Sequence, residues 1–381
     1  MILHISNAFL GSKVHRNLYS SLDKIGVDQL VYTVIRNYKE PKRENLIEFV
    51  QECSQIIVAK TTLKTYHRFL FRQKINILYK DLYRSVDLTK IKVTHATTLF
   101  TDGAIAYKVY KEFGVPYIVT IRNTDVNYFL KLRPDLLPLA RKIILNARFV
   151  TFLSPGLKDN FFNHWFMRSF RDRVESKLKL IYNGIEDFWL ENVNRRTIPN
   201  QNLTLPDKLL FVGRVSTEKN LSLLIGVILV LRKKYPSLTL DIVGPWGNDK
   251  ESVVKLIEGN SDVVRYLGEI KQRENLLTVY RNHDIFVMPS TKESFGLVYL
   301  EALTQGLPVL FTKGQGFDGV LREKIGECVV SSNIADVERG LNNLIKDYPI
   351  YLSSNIDFEQ FRWDKIASDY QKLYDVIDTK K

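Results

Sequence analysis

Short apolar runs alternate with helix-length segments along all 381 residues, and this alternation constrains the fold more than any other feature of the chain. The rhythm predicts β-strands joined by helices, which is typical of parallel, doubly wound α/β sheets. The predicted strands of the first half are ILHIS, QLVYTVI, IIVAK, VTHAT, PYIVTI and RFVTFLS, separated by helical segments such as 102–113 and 135–147. Those of the second half are LLFVGRV, LTLDIVG, VVRYLGE, DIFVMPS and LPVLFT.

A polar segment separates the two sets of strands. Residues 191–208, ENVNRRTIPNQNLTLPDK, have the composition of a linker, and the chain is longer than one core comfortably holds. We therefore predict a first domain over residues 1–190 and a second over 191–360, two doubly wound units facing each other across a cleft. Residues 361–381 have apolar side chains at helical spacing, which predicts a helix that packs on the surface, spans both domains or packs back on the first domain.

Composition limits the class of protein. Hydrophobic residues make up 45% and charged residues 25%, as in an ordinary globular chain. The N-terminal residues MILHISNAFLG lack a basic region and a cleavage site, and no stretch approaches the roughly 18 apolar residues of a membrane span. The only two cysteines, Cys53 and Cys328, lie far apart, and the histidines form no ligand pair. We expect a cytoplasmic protein without a metal ion or a cofactor.

Residues 293–301, ESFGLVYLE, carry the strongest functional signal. Pro289 breaks the preceding apolar strand, and a helix is predicted to open near Gly296. The first-turn N–H groups of such a helix are unpaired and its dipole is positive there, which favours an anion. Glu293 and Glu301 would repel a phosphate, so we expect them to accept hydrogen bonds from neutral hydroxyls beside it. A ligand with both a diphosphate and hydroxyls is a sugar nucleotide.

The segment LLFVGRVSTEKN provides a second polar loop after a strand. Its strand is predicted to end at Gly213, Ser216 and Thr217 are candidate N-caps, and an amphipathic helix is predicted to start near Asn220. The loop therefore has the same strand–loop–helix order as the segment around residue 293.

Arg214 and Lys219 lie on opposite sides of this loop and are candidates to converge on one anion, as a bidentate fork and a point charge. Their alternative interpretation is two solvated surface charges. Glu293 and Glu301 have alternatives as well, because a glutamate near a helix N-terminus also interacts favourably with the dipole alone. The combination of both loops after neighbouring strands favours the binding site.

GRVSTEKN and ESFGLVYLEALTQGLPVL resemble the two signature blocks of retaining glycosyltransferase family 4, the glycosyl transferases of group 1. YNGIEDFW (182–189) resembles the segment where that family's chain leaves the first domain. GQGFDG (314–319) and FRWDKIASDYQKLY (361–374) resemble blocks of members that serve bacterial polysaccharide synthesis, such as lipopolysaccharide or capsule. The resemblance implies the GT-B fold, two Rossmann-like domains with a nucleotide sugar in the cleft.

The resemblance also implies residue roles. Arg214 and Lys219 would hold the diphosphate, Glu293 would contact the donor sugar, and Glu301 would contact the ribose; Glu293, Arg214 and Lys219 form the catalytic set. The residues implied to bind the donor are Gly11, Gly213, Ser294, Phe295, Gly296, Leu297 and Glu301. Family members work without a divalent metal, and positive side chains with helix dipoles supply the stabilisation.

The chain departs from the family pattern at TIRNTDVN (120–127). Many members have His-Gly-x-Asp here, where this chain has Arg122 and Asp125 as candidate cleft residues. An arginine cannot act as a general base, so Arg122 is expected to hydrogen-bond the sugar or an acidic substituent, or to pair with Asp125. No nucleophile is evident, which favours the front-face mechanism generally proposed for the family.

The net charge of +13 lies entirely in the first half. Residues 1–190 contain 30 lysines and arginines against 17 acidic residues, whereas residues 191–381 contain 25 of each. Segments 60–92 and 161–173 combine these cations with aromatic residues, as in proteins that adsorb to an anionic membrane surface. The alternative is an aromatic stripe in the core with a solvated basic face.

The predicted function is a retaining glycosyltransferase that moves a sugar from a UDP- or GDP-sugar to a polysaccharide or lipid-linked glycan at the inner face of the cytoplasmic membrane. Three alternatives stay open. A nucleic-acid-binding protein would account for the basic half but not for the two loops of the neutral half. A non-catalytic sugar-nucleotide binder of the same fold would not need Lys219 and Glu293 intact. A phosphorylase or epimerase of the same fold is the third.

Overall fold

The computed structural model describes residues 1–34, 46–59, 63, 65–196, 205–352 and 355–378, which form two parallel β-sheets with helices between their strands. The strands of the first sheet are β1 (Ile2–Ile5), β2 (Gln29–Thr33), β3 (Gln55–Val58), β4 (Val93–Ala96), β5 (Tyr117–Ile121), β6 (Phe149–Phe152) and β7 (Leu178–Leu180). Those of the second sheet are β8 (Lys208–Val212), β9 (Thr239–Val243), β10 (Val264–Gly268), β11 (Ile285–Val287), β12 (Val309–Thr312) and β13 (Gly326–Val329).

Helices join most of these strands, as is usual for parallel pairing. They are α1 (Lys13–Lys24), α2 (Phe71–Ser85), α3 (Thr101–Phe113), α4 (Leu130–Leu132), α5 (Leu137–Asn146), α6 (Pro155–Asn163), α7 (Asp187–Glu191), α8 (Leu221–Leu231), α9 (Lys250–Glu258), α10 (Arg273–Arg281), α11 (Leu297–Thr304), α12 (Ile334–Lys346), α13 (Tyr348–Leu352) and α14 (Trp363–Asp378). Every helix of the described ranges is too short or too polar to cross a lipid bilayer.

The order of the strands shows that each sheet is doubly wound. The first sheet has the order β3-β2-β1-β4-β5-β6-β7, and the second has the order β10-β9-β8-β11-β12-β13. Along the chain, the first sheet begins at the central strand β1, adds β2 and β3 on one side, and then adds β4 to β7 on the other. The second sheet begins at β8, adds β9 and β10 on one side, and then adds β11 to β13 on the other. The point of reversal is therefore between β1 and β4 in the first sheet and between β8 and β11 in the second.

The chain divides into two compact units. The first unit contains residues 1–153, 157–184 and 360–381, and the second contains residues 154–156 and 185–359. The chain passes from the first unit to the second after residue 184, six residues before the predicted boundary. Part of the predicted linker, residues 197–204, lies outside the described residues. Helix α14 belongs to the first unit, although the chain reaches it from the second.

The first unit buries both faces of its sheet. Leu18 and Leu22 of α1 join Ile366 and Tyr370 of α14 in one apolar cluster on one face. A second cluster on the other face includes Leu78 of α2. Because both faces are covered, β1 and β2 are buried along their whole length, as their uninterrupted apolar character predicts.

All eleven strands named from the sequence are present within a few residues of their predicted bounds, so the doubly wound α/β prediction is confirmed. Two predicted strand ends, Ile35 and Lys60, lie outside the described residues. The sequence prediction missed the edge strands β7 and β13, because their sequences, LKL and GECV, contain no apolar run. Helix predictions over 102–113 and 135–147 correspond to α3 and α5.

Candidate functional site

The point of reversal in the second sheet brings together the two loops that the sequence singled out. Strands β8 and β11 are neighbours there, and their carboxyl ends lead into residues 213–220 and 288–296. In open α/β sheets, ligands bind in the crevice that opens at such a point, because the two loops turn to opposite sides. The two loops follow neighbouring strands, as predicted; that they bind a ligand stays a prediction.

The loop after β8 follows the edge of the sheet before its helix begins. The Val215 N–H donates to the Pro245 carbonyl at 3.0 Å, which holds the loop beside the end of β9. A single 3₁₀ turn over Thr217–Lys219 follows, and α8 begins at Leu221 with Asn220 in the left-handed conformation at φ 58°. Neither predicted N-cap, Ser216 or Thr217, caps this helix, because the 3₁₀ turn lies between them and its first residue.

The loop after β11 ends in a glycine that its conformation requires. Gly296 precedes α11 with φ +82°, and a Cβ atom there would lie 3.2 Å from Cγ of Glu293 and overlap the ring of Tyr299. The Tyr299 hydroxyl donates to the Met288 carbonyl at 2.5 Å, which fixes the helix against the end of the strand. The helix therefore opens at the predicted place, and its first-turn N–H groups lie beside Glu293.

An ion pair joins the two loops. The Lys219 ammonium lies 2.6 Å from a carboxylate oxygen of Glu293, with the side chains 20% and 13% exposed. The second carboxylate oxygen accepts the Ser294 N–H at 2.9 Å, and the Thr291 N–H donates to the Glu218 carbonyl at 2.8 Å. Lys219 and Glu293 were predicted to contact different parts of one ligand, and their side chains are in direct contact with each other.

Residues 314–319, GQGFDG, lie against the loop after β11 and are called the third wall below. They were not predicted to belong to the site. The Glu293 N–H donates to the Gln315 side-chain oxygen at 3.1 Å, and the Gly316 N–H donates to the Glu293 carbonyl at 3.1 Å. A Cβ atom at Gly316 would overlap the carbonyl carbon of Ser294. The glycine pair directly after a predicted strand was the available signal for this contact.

Arg214 and Glu301 lie at the borders of this region. Arg214 is exposed, and its side chain runs past Gly247, where a Cβ atom would lie 3.0 Å from the arginine Cγ. Glu301 is half-buried in α11 and accepts a hydrogen bond from the Tyr280 hydroxyl at 3.1 Å. Burial and the Glu301 charge raise the pKa of Tyr280 well above its ordinary value, so the phenol remains a donor that orients Glu301.

The remaining residues predicted to bind the donor differ in their exposure. Gly213 and Leu297 are half-buried, Ser294 is exposed, and Phe295 is buried with its ring 6.4 Å from that of Phe317. Their contacts with a donor stay predictions. The described residues contain no group of three or more His, Cys, Asp or Glu side chains arranged to hold a metal ion.

The residues predicted in the first unit have different surroundings. Gly11 ends a short 3₁₀ turn, and a Cβ atom there would meet no atom within 4 Å. Packing therefore does not require this glycine, and its approach to a phosphate stays a prediction.

Asp125 is fully buried and does not pair with the Arg122 guanidinium. One of its carboxylate oxygens accepts the backbone N–H groups of Arg122 and Leu99, at 2.9 and 3.1 Å. Burial raises the pKa of Asp125 to about 7. The side chain ties the end of β5 to the loop after β4, so the structure gives it a structural role in place of the predicted contact in an open cleft.

Most aromatic residues of the two basic segments pack in the core, which supports the alternative interpretation for them. The buried ones are Phe71, Tyr79, Phe161, Phe162, Phe166 and Phe170. A smaller set is exposed to solvent: Tyr66 at 48%, Phe69 at 83%, Tyr83 at 57% and Trp165 at 61%. Residues 60–62 and 64 of the first segment lie outside the described residues.

Several known proteins are similar to this chain. Residues 194–356 match the family model of glycosyl transferases group 1. The α-monoglucosyldiacylglycerol synthase of Acholeplasma laidlawii is 25% identical over 81% of this chain and 77% of its own length. An uncharacterized glycosyltransferase of Methanocaldococcus jannaschii, MJ1607, is 28% identical over 53% of this chain, and the match spans only 55% of that protein.

The fold is also that of solved structures. Anabaena Alr3699/HepE, crystallised in complex with UDP-glucose, superposes with a TM-score of 0.64 over 98% of this chain and 99% of its own. Its sequence identity is 16%, so this likeness concerns the fold alone. Two parallel-sheet, Rossmann-like units with such neighbours have the GT-B fold.

Proposed function

We propose that this chain, whose residues 194–356 match the glycosyl transferases of group 1, transfers a sugar from a nucleotide diphosphate sugar to a glycan acceptor with retention of the anomeric configuration. The observation that carries the proposal is the Lys219–Glu293 contact of 2.6 Å at the reversal point of the second sheet, beside the N-terminus of α11. A cation, a carboxylate and a helix N-terminus at one place suit a ligand that combines phosphate with hydroxyls.

Different residues of this site would hold different parts of the donor. Lys219 and Arg214 would bind the diphosphate together with the N–H groups of Phe295, Gly296 and Leu297. Glu293 would accept hydrogen bonds from the sugar hydroxyls, and Glu301 from the ribose. The short Lys219–Glu293 contact orients both side chains before the donor arrives, which lowers the cost of arranging them during the reaction.

Transfer would follow a front-face course. The bond between the anomeric carbon and the leaving phosphate oxygen breaks, and the charge that grows on the diphosphate is stabilised by Arg214, Lys219 and the α11 dipole. The acceptor hydroxyl adds to the same face of the sugar, and its proton passes to the leaving phosphate. These cationic groups would replace a divalent metal, so we propose a metal-independent reaction.

We also propose a polysaccharide or lipid-linked acceptor at the inner face of the cytoplasmic membrane. The net positive charge lies in residues 1–190, and the first unit exposes the apolar side chains of Phe69 and Leu70 at the start of α2. An excess of cations in a unit that also exposes apolar side chains suits an anionic lipid surface, at roughly 1 kcal/mol for each well-placed cation.

A donor screen tests the enzymatic proposal. UDP- and GDP-sugars are incubated with the protein without an acceptor, and released UDP or GDP is measured, since slow hydrolysis is the default reaction of a bound donor. We expect release from one donor class, unchanged by a chelator such as EDTA. No release from any donor would leave a non-catalytic binder of the same fold as the better assignment.

Liposome co-sedimentation tests the membrane proposal. Vesicles of neutral lipid and vesicles containing anionic lipid are compared at low and high salt, with the wild type and with a Phe69→Ser, Leu70→Ser variant. We expect pelleting only with anionic vesicles, weakened by salt and by the variant. Equal pelleting with neutral and anionic vesicles at low salt would overturn the electrostatic part of the proposal.

A further inference from the structure

The first unit places a half-buried guanidinium at the carboxyl ends of its central strands. Arg122 directly follows β5, which pairs with β4 at one side of the reversal point of the first sheet. Its Nε donates to the Thr97 carbonyl at 2.9 Å, and one Nη donates to Nε2 of His15 at 2.6 Å. Two contacts, one from the loop after β4 and one from helix α1, therefore fix the plane of the guanidinium.

Neither of these acceptors carries a negative charge. Within the described residues, no carboxylate oxygen lies within 4.0 Å of a guanidinium nitrogen of Arg122, which forms no ion pair. Asp102, a nearby acidic residue, accepts hydrogen bonds from Asn7 and Thr97 instead. A charge that is partly removed from water without a counter-ion is costly, so the arrangement favours an anion supplied by a ligand.

The state of His15 follows from its partners. A guanidinium only donates hydrogen bonds, so His15 Nε2 accepts, and the proton of the neutral ring is on Nδ1. That nitrogen lies 3.0 Å from Oγ of Ser6, which accepts the proton's hydrogen bond. Burial and the Arg122 charge hold the pKa of His15 well below its ordinary value, so the ring stays neutral and keeps its acceptor toward Arg122.

We propose that Arg122 binds an anionic group of the substrate, a carboxylate or a phosphate, and that His15 is the positioning residue that aims its guanidinium. The inference rests on the proposed function and adds the chemical class of the substrate. The remaining N–H groups of Arg122 form a planar fork that matches the two oxygens of a carboxylate or phosphate. The anion belongs either to the donor sugar, as in a uronic acid, or to the acceptor.

The donor arm of the test compares neutral and acidic sugars on the same nucleotide. Nucleotide release is measured for UDP-glucose against UDP-glucuronic acid, and for GDP-mannose against GDP-mannuronic acid. The variants are Arg122→Gln, Arg122→Lys, His15→Ala and His15→Gln, with Arg148→Gln as an exposed control from the same unit. If the anion is on the donor, we expect Arg122→Gln to lower kcat/KM for the uronic acid by about a hundredfold more than for its neutral partner.

The acceptor arm uses the best neutral donor with a methyl glucoside, the matching methyl glucuronide and glucose 6-phosphate. A selective loss here places the anion on the acceptor. His15→Ala should reproduce part of the selective loss in whichever arm shows it, whereas His15→Gln, which still presents an acceptor to Arg122 and a donor to Ser6, should restore it. A purely structural role of His15 would lower the rates of neutral and acidic substrates equally.

Two results would overturn the proposal. If Arg122→Gln lowers kcat/KM equally for every substrate, Arg122 contacts the diphosphate or stabilises the fold. If Arg122→Gln keeps the wild-type rates, Arg122 does not bind the substrate. If the wild type releases no nucleotide at all, the proposed function fails separately. Calorimetric titration of the same donor pairs then still decides whether Arg122 discriminates a carboxylate.

Discussion

The two units use the same strand reversal but treat charge in opposite ways. In the second unit, the reversal point holds a charged pair, Lys219 and Glu293, with exposed Arg214 nearby. In the first unit, burial drives ionisable groups toward their neutral forms, because it lowers the pKa of His15 and raises that of Asp125 to about 7. The Arg122 guanidinium beside them keeps its charge.

This difference indicates a division of labour. Charged groups that reach solvent suit a ligand whose own charge grows during the reaction, as the leaving diphosphate does. A buried network that fixes a guanidinium suits the binding of a group whose charge does not change. The second unit would therefore supply the chemistry, and the first unit would select the substrate.

Removing one member of the charged pair in the second unit should have the largest effect on turnover. We expect Lys219→Ala and Glu293→Ala each to lower turnover by at least about a hundredfold, the scale of a lost transition-state contact. Circular dichroism and Tm should stay close to the wild type, since both side chains are partly exposed. Lys255→Ala, in exposed helix α9, is the control; near-wild-type turnover in either site variant would refute the assigned site.

The pH dependence of stability tests whether the buried Asp125 of the first unit is held in its neutral form. Its pKa in the folded chain is about 7 against an ordinary 3.8, so the folded state binds a proton more tightly than the unfolded state. The stability that this proton contributes is fully present when the pH is below the ordinary pKa of 3.8, and it is lost as the pH rises through the folded-state pKa of about 7. Between the two, the free energy of unfolding should fall by about 1.4 kcal/mol per pH unit.

Urea unfolding of the wild type and Asp125→Asn at several pH values between 4 and 7 checks this slope. The variant should lack the part of the slope that Asp125 contributes, while Asp159→Asn, at an exposed position, should retain it. Parallel curves for wild type and Asp125→Asn would show that the carboxyl group does not titrate in this range.

Gly316 tests whether the third wall belongs to the charged site. A Cβ atom at this position would overlap the Ser294 backbone, so Gly316→Ala must move the loop away from Glu293. We expect the KM for the donor to rise about tenfold, with a loss of stability of about 1–3 kcal/mol from overpacking.

Gly226→Ala is the matched control, because a Cβ atom there meets no atom within 4 Å. In the exposed interior of α8 it should stabilise the chain by up to about 1 kcal/mol and leave the KM unchanged. Equal KM values for Gly316→Ala and Gly226→Ala would show that residues 314–319 do not contribute to donor binding.

Local patterns predicted the strands well and the contacts between loops poorly. The apolar runs around Ile2–Ile5 and Ile285–Val287 are long enough to identify buried strands, whereas the short edge strand Gly326–Val329 depends on its pairing with β12. The Lys219–Glu293 pair joins residues 74 positions apart, and the Arg122–His15 contact joins residues 107 apart. Sequence spacing carries no information on such distances; strand order does, because it decides which loops meet.

The central claim is that the second unit binds a nucleoside diphosphate through Arg214 and Lys219. Calorimetric titration with UDP and UMP, and in parallel with GDP and GMP, measures what the second phosphate contributes to affinity. The wild type should bind one diphosphate more tightly than its monophosphate, and Arg214→Ala or Lys219→Ala should reduce that preference by about tenfold or more, as the loss of a charge-assisted contact predicts. A preference for the diphosphate that is unchanged in both variants would contradict the claim.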